Sequence, residues 1–314
     1  MLTVSVVIPV YRAAGTLREL YGQLSIAMPQ IAPTFEIIFV EDCGGDESWS
    51  IITELAAADQ RVRGIRMSRN YGQHNALLCG IRAARYDVIV TMDDDLQHPV
   101  SEVSPLVAAL GPDVDVVYGA PRNEQHGFVR DVASRLTKLA LASAMGAESA
   151  RNVSAFRAFR TRLRDGFCDY RGPTVSIDVV LTWTTSRFAA IKVRHAPRQV
   201  GVSGYSVARL IRYAIDLMTG FSTLPLQISS LIGFVMVLFG VSIFAYVGIT
   251  FLINGSAVPG FAFLASIIAI FSGAQLAGLG IVGEYLARMH FRSMDRPTYL
   301  VSETTPSDGA DGRC

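Results

Sequence analysis

The sequence predicts an α/β domain with a mostly parallel, doubly covered sheet, followed by a hairpin of two membrane-spanning helices. Three observations predict it. In the first half, short continuous apolar runs alternate with helical patterns, which is how strands buried on both faces between crossover helices read. The charge load then stops: between Asp216 and Glu284 there are 67 residues without an Asp, Glu, Lys or Arg. Finally, polar clusters fall at the carboxyl ends of three of the apolar runs, where open α/β sheets collect ligands.

Taken in order, residues 4–10 form a strand ending near Pro9, and a helical pattern covers 16–28. Phe35–Val40 is a second strand stopping at Glu41-Asp42, followed by a helix over 47–59 with Asp46 placed to cap it. Val62–Met67 is a weaker strand, Gln73–Arg85 a helix, and Asp87–Met92 a strand that runs into three aspartates. Strands are expected at 114–118, 154–160 and 187–195, and a helix with a basic face at 130–145. Ser206–Phe221 is amphipathic, with Arg209 and Arg212 on its polar side, as expected of a helix lying in a membrane interface. Leu226–Ile253 and Phe261–Gly283 each exceed the ~20 apolar residues that span a bilayer. The resulting organisation is a catalytic-type domain over 1–205, an interface helix over 206–224, two spans within 225–284, and a polar tail over 285–314 that is partly disordered, above all after Val301.

Composition narrows the function. Of 314 residues, 28 are Lys or Arg and 27 Asp or Glu, a net charge of +1, which argues against a nucleic-acid binder, and no redox motif is present. The start, Leu2-Thr3-Val4-Ser5-Val6-Val7-Ile8-Pro9, reads as a buried strand rather than a signal peptide. Cys43, Cys79, Cys168 and Cys314 are scattered without metal-site or pairing spacing and are expected to be reduced. Arg209 and Arg212 precede the first span, Arg288, Arg292 and Arg296 follow the second, and the intervening turn is uncharged. Arginine on both flanks keeps those flanks in the cytoplasm and the domain on the inner face of the cytoplasmic membrane.

The chemistry-bearing segment is Thr91-Met92-Asp93-Asp94-Asp95-Leu96-Gln97. If it stays extended, Asp93 and Asp95 share one side and Asp94 points to the other. Two carboxylates at a strand end suit Mg²⁺ or Mn²⁺ with positions left for diphosphate oxygens. Asp42, followed by Gly44-Gly45, could accept hydrogen bonds from a nucleobase or ribose, and the helix opened by Asn70-Tyr71-Gly72-Gln73 could turn its N-terminus to phosphate. His74 and His98 are expected in loops or at the surface, not as metal ligands.

Together V-V-I-P-V-Y, F-V-E-D, S-R-N-Y-G-Q-H-N-A, M-D-D-D-L-Q-H-P, H-A-P-R-Q-V-G-V-S-G-Y-S, G-E-Y-L-A-R and R-P-T-Y-L-V resemble the inverting family-2 glycosyltransferases with a GT-A fold. Among these the likeness, from about residue 3 to 301, is to polyprenyl-phosphate glycosyltransferases of the ArnC and GtrB kind, and more distantly to dolichol-phosphate mannose synthase. The resemblance implies transfer of a sugar from a nucleotide-sugar, UDP-linked in expectation, to undecaprenyl phosphate for envelope glycan or lipopolysaccharide modification. It places Pro9, Tyr11, Glu41, Asp42, Arg69, Asp93 and Gln97 around the nucleotide-sugar, and Asp93 and Asp95 on the metal. Arg122, Arg130 and Arg198 would hold the lipid phosphate and diphosphate, with Ser203 and Tyr205 leading to the interface helix. Partners would be the donor, the polyprenyl phosphate, the bilayer and, as in relatives, further copies of the chain, such as a tetramer.

Three departures stand out. The common D-D-G-S is Glu41-Asp42-Cys43-Gly44, the usual lysine of G-x-S-K-Y is Gly204, and no acidic residue precedes the Phe156-Arg157 pair. The last motivates an alternative: a catalytically inactive, GT-A-like membrane scaffold or lipid-binding subunit. A processive polysaccharide synthase is disfavoured, because no Q-x-x-R-W motif is present.

Overall fold

A computed structural model describes residues 2–121, 152–172, 175–196, 215, 218–254 and 260–306. Its centre is an eight-stranded sheet. In chain order the strands are β1 (Thr3–Val10), β2 (Thr34–Glu41), β3 (Val62–Met67), β4 (Val88–Thr91), β5 (Val116–Pro121), β6 (Arg157–Arg160), β7 (Phe188–Val193) and β8 (Val301–Thr304). They lie in the order β7-β5-β6-β4-β1-β2-β3-β8. The pairs β1–β2, β1–β4, β2–β3 and β5–β7 are parallel. β6 runs antiparallel to β4 and β5, and β8 antiparallel to β3. The chain winds outward from β1 through β2 to β3, then crosses to β4 on β1's other side. That reversal opens a crevice at the carboxyl ends of β1 and β4.

Helices cover both faces, as the unbroken burial of Val4 to Val10 and Phe35 to Glu41 requires. α1 (Leu17–Ile31) buries Leu17, Leu20, Leu24 and Met28, a stripe at helical spacing, on one face with α2 (Ser48–Ala58) and α4 (Val103–Ala108). α3 (Gln73–Ala83) and α5 (Ile177–Thr182) pack the other. The two cores therefore sandwich the sheet. Asp46 stands one residue before the N-cap of α2, Glu47, rather than at it, and accepts the backbone N–H of Ser48 at 3.2 Å.

α6 (Leu224–Asn254) and α7 (Phe261–Ser293) contain segments, Leu224–Ile253 and Ile270–Ser293, long and apolar enough to cross a membrane. The apolar side chains along them are exposed, as in Leu231, Phe244 and Leu276, which a soluble domain does not tolerate over such lengths. α7 runs ten residues beyond the expected end of the second span, carrying Arg288 and Arg292 with it. The catalytic domain meets the hairpin through an aromatic cluster: Trp183 lies 5.4 Å from Tyr170 and 6.1 Å from Phe221, and Arg292 sits over Tyr170.

One expectation is corrected. Ser302–Thr305 are ordered, completing β8 on the β3 edge; a four-residue strand of mixed Val, Ser, Glu and Thr carries no periodicity that marks it beforehand. Cys43 and Cys79 are free thiols, as their scattered spacing predicts.

Candidate active site

The carboxyl ends of β1 and β4 are tied together at the crevice. The backbone N–H of Tyr11 donates to Asp94 Oδ2 at 3.1 Å. This corrects the expectation that Asp94 turns away. β4 stops at Thr91, so the alternation of a strand no longer governs residues 93–95, and the backbone bends over 94–96. Asp93 accepts from Gln73 Nε2 at 2.7 Å, and Asp95 accepts the backbone N–H of Gln97 at 3.1 Å. All three carboxyls are half-buried at one edge. Burial pushes the Asp94 carboxyl up to about 7, and the negative charges of Asp93 and Asp95 add to the effect.

Such crowding is the environment a divalent cation relieves. Among the described residues no group of three or more His, Cys, Asp or Glu stands ready to hold a metal alone. Two carboxylates do fit Mg²⁺ or Mn²⁺ when a ligand's phosphate oxygens complete the shell.

On the β2 side, Pro9 is buried opposite Val40, beyond the last β1–β4 pair, Val7 with Thr91, so its missing N–H leaves the ladder intact. Tyr11 is 47% exposed, with the Arg12 guanidinium over its ring. Asp42 is buried, and its two oxygens accept the backbone N–H groups of Tyr71 (2.7 Å) and Gly72 (2.8 Å). Burial raises its carboxyl above the ordinary range, opposed by those two donors. The anion at the mouth of α3 is thus Asp42 itself. Glu41 is also buried, accepting from Gly44 N–H at 2.6 Å and from Arg66 Nε at 3.2 Å. Arg69 is exposed and lies over Tyr71.

Backbone strain concentrates here. Four described non-glycine residues have positive φ, and three, Arg12 (54°), Cys43 (54°) and Leu96 (61°), follow β1, β2 and β4 at the crevice. A Cβ on Gly44 would lie 2.7 Å from Arg12 N, so glycine is needed where these turns touch.

Sequence reasoning missed two groups. His98 is buried rather than in an exposed loop, stacked on Phe156 at 5.1 Å and edge-on to His195 at 5.1 Å. Burial drives its imidazole down to about 4, so the ring is neutral. His74 is likewise lowered to about 4 by burial, and its Nδ1 faces the N–H of Ile177. Behind β4, Arg157 is 1% exposed and ion-paired with Asp178, which also accepts from Tyr118 Oη at 3.1 Å. Arg157 Nε donates to Thr91 Oγ1 at 3.1 Å, and Thr91 donates to Ala155 O. Only the buried spacing of an isolated Phe-Arg pair hinted at it. Near the position of the absent acidic residue, Ser154 Oγ accepts the N–H of Phe156.

Arg122, Arg130, Arg198, Ser203 and Tyr205 lie outside the described residues. An open cavity of about 870 Å³ lies at the opposite end of the sheet, where Asp115 is already held by Arg162 and Arg187.

The mostly parallel α/β sheet, with its aspartates beyond the carboxyl end of β4 at the topological switch point, has the architecture of a GT-A fold. The sequence model of glycosyl transferase family 2 matches residues 5–167. An undecaprenyl-phosphate 4-deoxy-4-formamido-L-arabinose transferase of Aeromonas hydrophila is 33% identical over 312 residues, covering 97% of this chain and 96% of that protein. The transferase of the same description from Pseudomonas fluorescens is 36% identical, covering 96% and 89%. Among solved structures, mannosyl-3-phosphoglycerate synthase from Rubrobacter xylanophilus shares the fold at TM-score 0.51 and 18% identity, over 68% of this chain and 72% of that one. A Mycobacterium tuberculosis glucosyl-3-phosphoglycerate synthase, in complex with Mn²⁺, UDP and glucosyl-3-phosphoglycerate, gives 0.51 and 17% over 70% and 78%. The chain belongs to glycosyl transferase family 2 and is an enzyme of that class.

Proposed function

We propose that the chain transfers a sugar, with inversion, from a UDP-linked donor to undecaprenyl phosphate at the cytoplasmic face of the inner membrane. The observation that carries this reading is the crevice itself: Asp94 is tied to the Tyr11 backbone at the β1–β4 switch point, with Asp93 and Asp95 on either side of it in the chain, in a protein that also carries two long apolar helices. Near full-length likeness to transferases named for undecaprenyl phosphate supports the acceptor, and the Mn²⁺ and UDP of a fold relative support the donor chemistry.

Asp93 and Asp95 would hold Mg²⁺ or Mn²⁺, which when bound neutralises charge on the departing nucleoside diphosphate. Gln73 fixes Asp93, and Asp94 fixes the Tyr11 backbone, so the rim is set before substrate arrives. Arg122, Arg130 and Arg198 would orient the acceptor phosphate. That phosphate is mostly ionised near neutral pH, its second pKa being ~6, so the nucleophile needs placement more than deprotonation. Asp178, buried and held by Arg157 and Tyr118, suits a supporting role rather than that of a base. Arginines on both flanks of the spans support a cytoplasmic catalytic domain.

Mass spectrometry of lipid-linked products, after incubating the purified chain with undecaprenyl phosphate, Mn²⁺ and a panel of nucleotide-sugars, tests the proposal. One glycosyl-phosphoryl-undecaprenol product is expected; donor hydrolysis without lipid product, or no turnover of any donor, would overturn it.

A further inference from the structure

We propose that the chain returning from the membrane, Leu300–Thr305, positions the nucleotide side of the donor site through a Glu303–Arg66–Glu41 relay. The proposal rests on the donor-site reading above and adds to it a control element more than 200 residues away in sequence.

β8 pairs with β3 in a register that sets Glu303 opposite Arg66. The seat is closely fitted. Thr305 donates its N–H to Gly64 O at 2.9 Å, and its Oγ1 accepts from Gly64 N–H at 2.8 Å. A Cβ on Gly64 would come within 2.5 Å of Ile52 and 2.9 Å of Thr305, so only glycine lets β8 settle this close.

From that seat two lines run to the rim. In the first, Glu303 accepts from Trp49 Nε1 at 2.8 Å and lies 3.5 Å from Arg66 Nη1. Arg66 also lies over the Trp49 ring and donates through Nε to Glu41. The other Glu41 oxygen holds Gly44 N–H, and Gly44 O accepts from Arg12 Nε at 3.0 Å. The turn 41–45, strained at Cys43, is thereby pinned from β8. In the second, Ser68 N–H donates to Leu300 O at 2.8 Å, and Ser68 Oγ meets Tyr71 Oη at 3.0 Å. The Tyr71 backbone then holds Asp42.

The first line ends at the 41–45 turn and the second at Asp42, the neighbour of Glu41, whereas Asp93 is held from α3 and Asp94 from the end of β1. Glu41 is a buried carboxylate beside a buried Asp42, so its placement depends on Arg66 staying where Glu303 and Trp49 hold it. Loosening the relay should therefore weaken nucleotide binding and leave the transfer step alone.

The test uses the full chain in detergent, with Mn²⁺, reading UDP affinity by calorimetry, donor KM and kcat, and the melting temperature. Glu303→Ala should raise UDP Kd and donor KM about two- to fivefold, as expected for an exposed ion pair, with kcat within about twofold. Glu303→Gln, which keeps an acceptor for Trp49, should fall between it and the unaltered chain. Arg66→Ala leaves Glu41 without its cation and should cost about tenfold or more. Adding Glu303→Ala to Arg66→Ala should then change nothing further, because both act along one line. Full additivity, an unchanged donor KM in Glu303→Ala, or equal losses in kcat and stability with KM constant would overturn the relay. An unaltered chain that binds no UDP would remove the donor-site reading and the proposal with it, whereas variants that bind as well as the parent remove the relay alone.

Discussion

Asp178→Asn separates a supporting carboxylate from a chemical one. Asp178 is 4% exposed and accepts from Arg157 and Tyr118, themselves 1% exposed. The amide would leave Arg157 charged, buried and without its counter-ion, and breaking such a pair from one side costs about 3–5 kcal/mol. At ~2–4 °C per kcal/mol for a domain of about 200 residues, the melting temperature should fall by roughly 6–20 °C. Replacing both partners, Arg157→Met with Asp178→Leu, removes the unpaired charge and should cost less than either single change, although the Thr91 and Tyr118 hydroxyls lose a partner. The assay is thermal unfolding of the detergent-solubilised full chain, with transfer measured well below the lowest midpoint. Activity per folded molecule should persist in Asp178→Asn. If that variant melts with the parent but transfers nothing, Asp178 acts in the chemistry, and the positioned-phosphate mechanism is wrong.

Further outcomes follow from the crevice and the hairpin. Asp95→Asn should abolish transfer and metal-dependent UDP binding with little change in folding, since an amide holds a divalent cation poorly. Asp94→Asn should be milder, because the amide oxygen can still accept the Tyr11 N–H, whereas Asp94→Ala should lower both activity and stability; equal effects of Asn at both positions would contradict these roles. Cys43→Gly should raise stability by up to about 1 kcal/mol, the left-handed conformation costing ~1–2 kcal/mol and glycine's extra unfolded freedom returning ~0.5–1; a lower melting point would refute the strain argument. A cysteine placed at Ser256 should react with a membrane-impermeant thiol reagent applied to intact cells, and one at Ser302 should not. The opposite labelling would put the catalytic domain outside.

What the sequence discloses depends on how local the cause is. β1, β2 and β4 were legible because a strand buried on both faces must be apolar throughout, and Val4 to Val10 has no alternative. The direction of Asp94 is not legible, because strand alternation ends at Thr91 and the hydrogen bond to Tyr11 is tertiary. His98 and Asp178 were hidden for a similar reason. Their partners, Phe156 and Arg157, are about 58 and 21 positions away in the chain, and nothing in a single sequence pairs them. β8 was the least visible, being polar, short and joined to β3 across more than 230 residues.

The same distinction orders the catalytic argument. On the proposed function the aspartates are legible because metal and diphosphate would demand oxygen ligands in a compact run. The groups that hold the aspartates and the nucleoside turns are not, since any residue able to reach them serves: Gln73 for Asp93, the Tyr11 backbone for Asp94, Arg66 for Glu41. Preorganisation of this kind matters more when no side chain removes a proton, because the rate then depends on where the phosphate oxygen and the anomeric carbon are held. Loss of an acidic residue before Phe156-Arg157 therefore does not argue for an inactive scaffold. A scaffold has no need of three strained turns meeting at one crevice, of a tie from Tyr11 to Asp94, or of a buried arginine fixed behind Thr91.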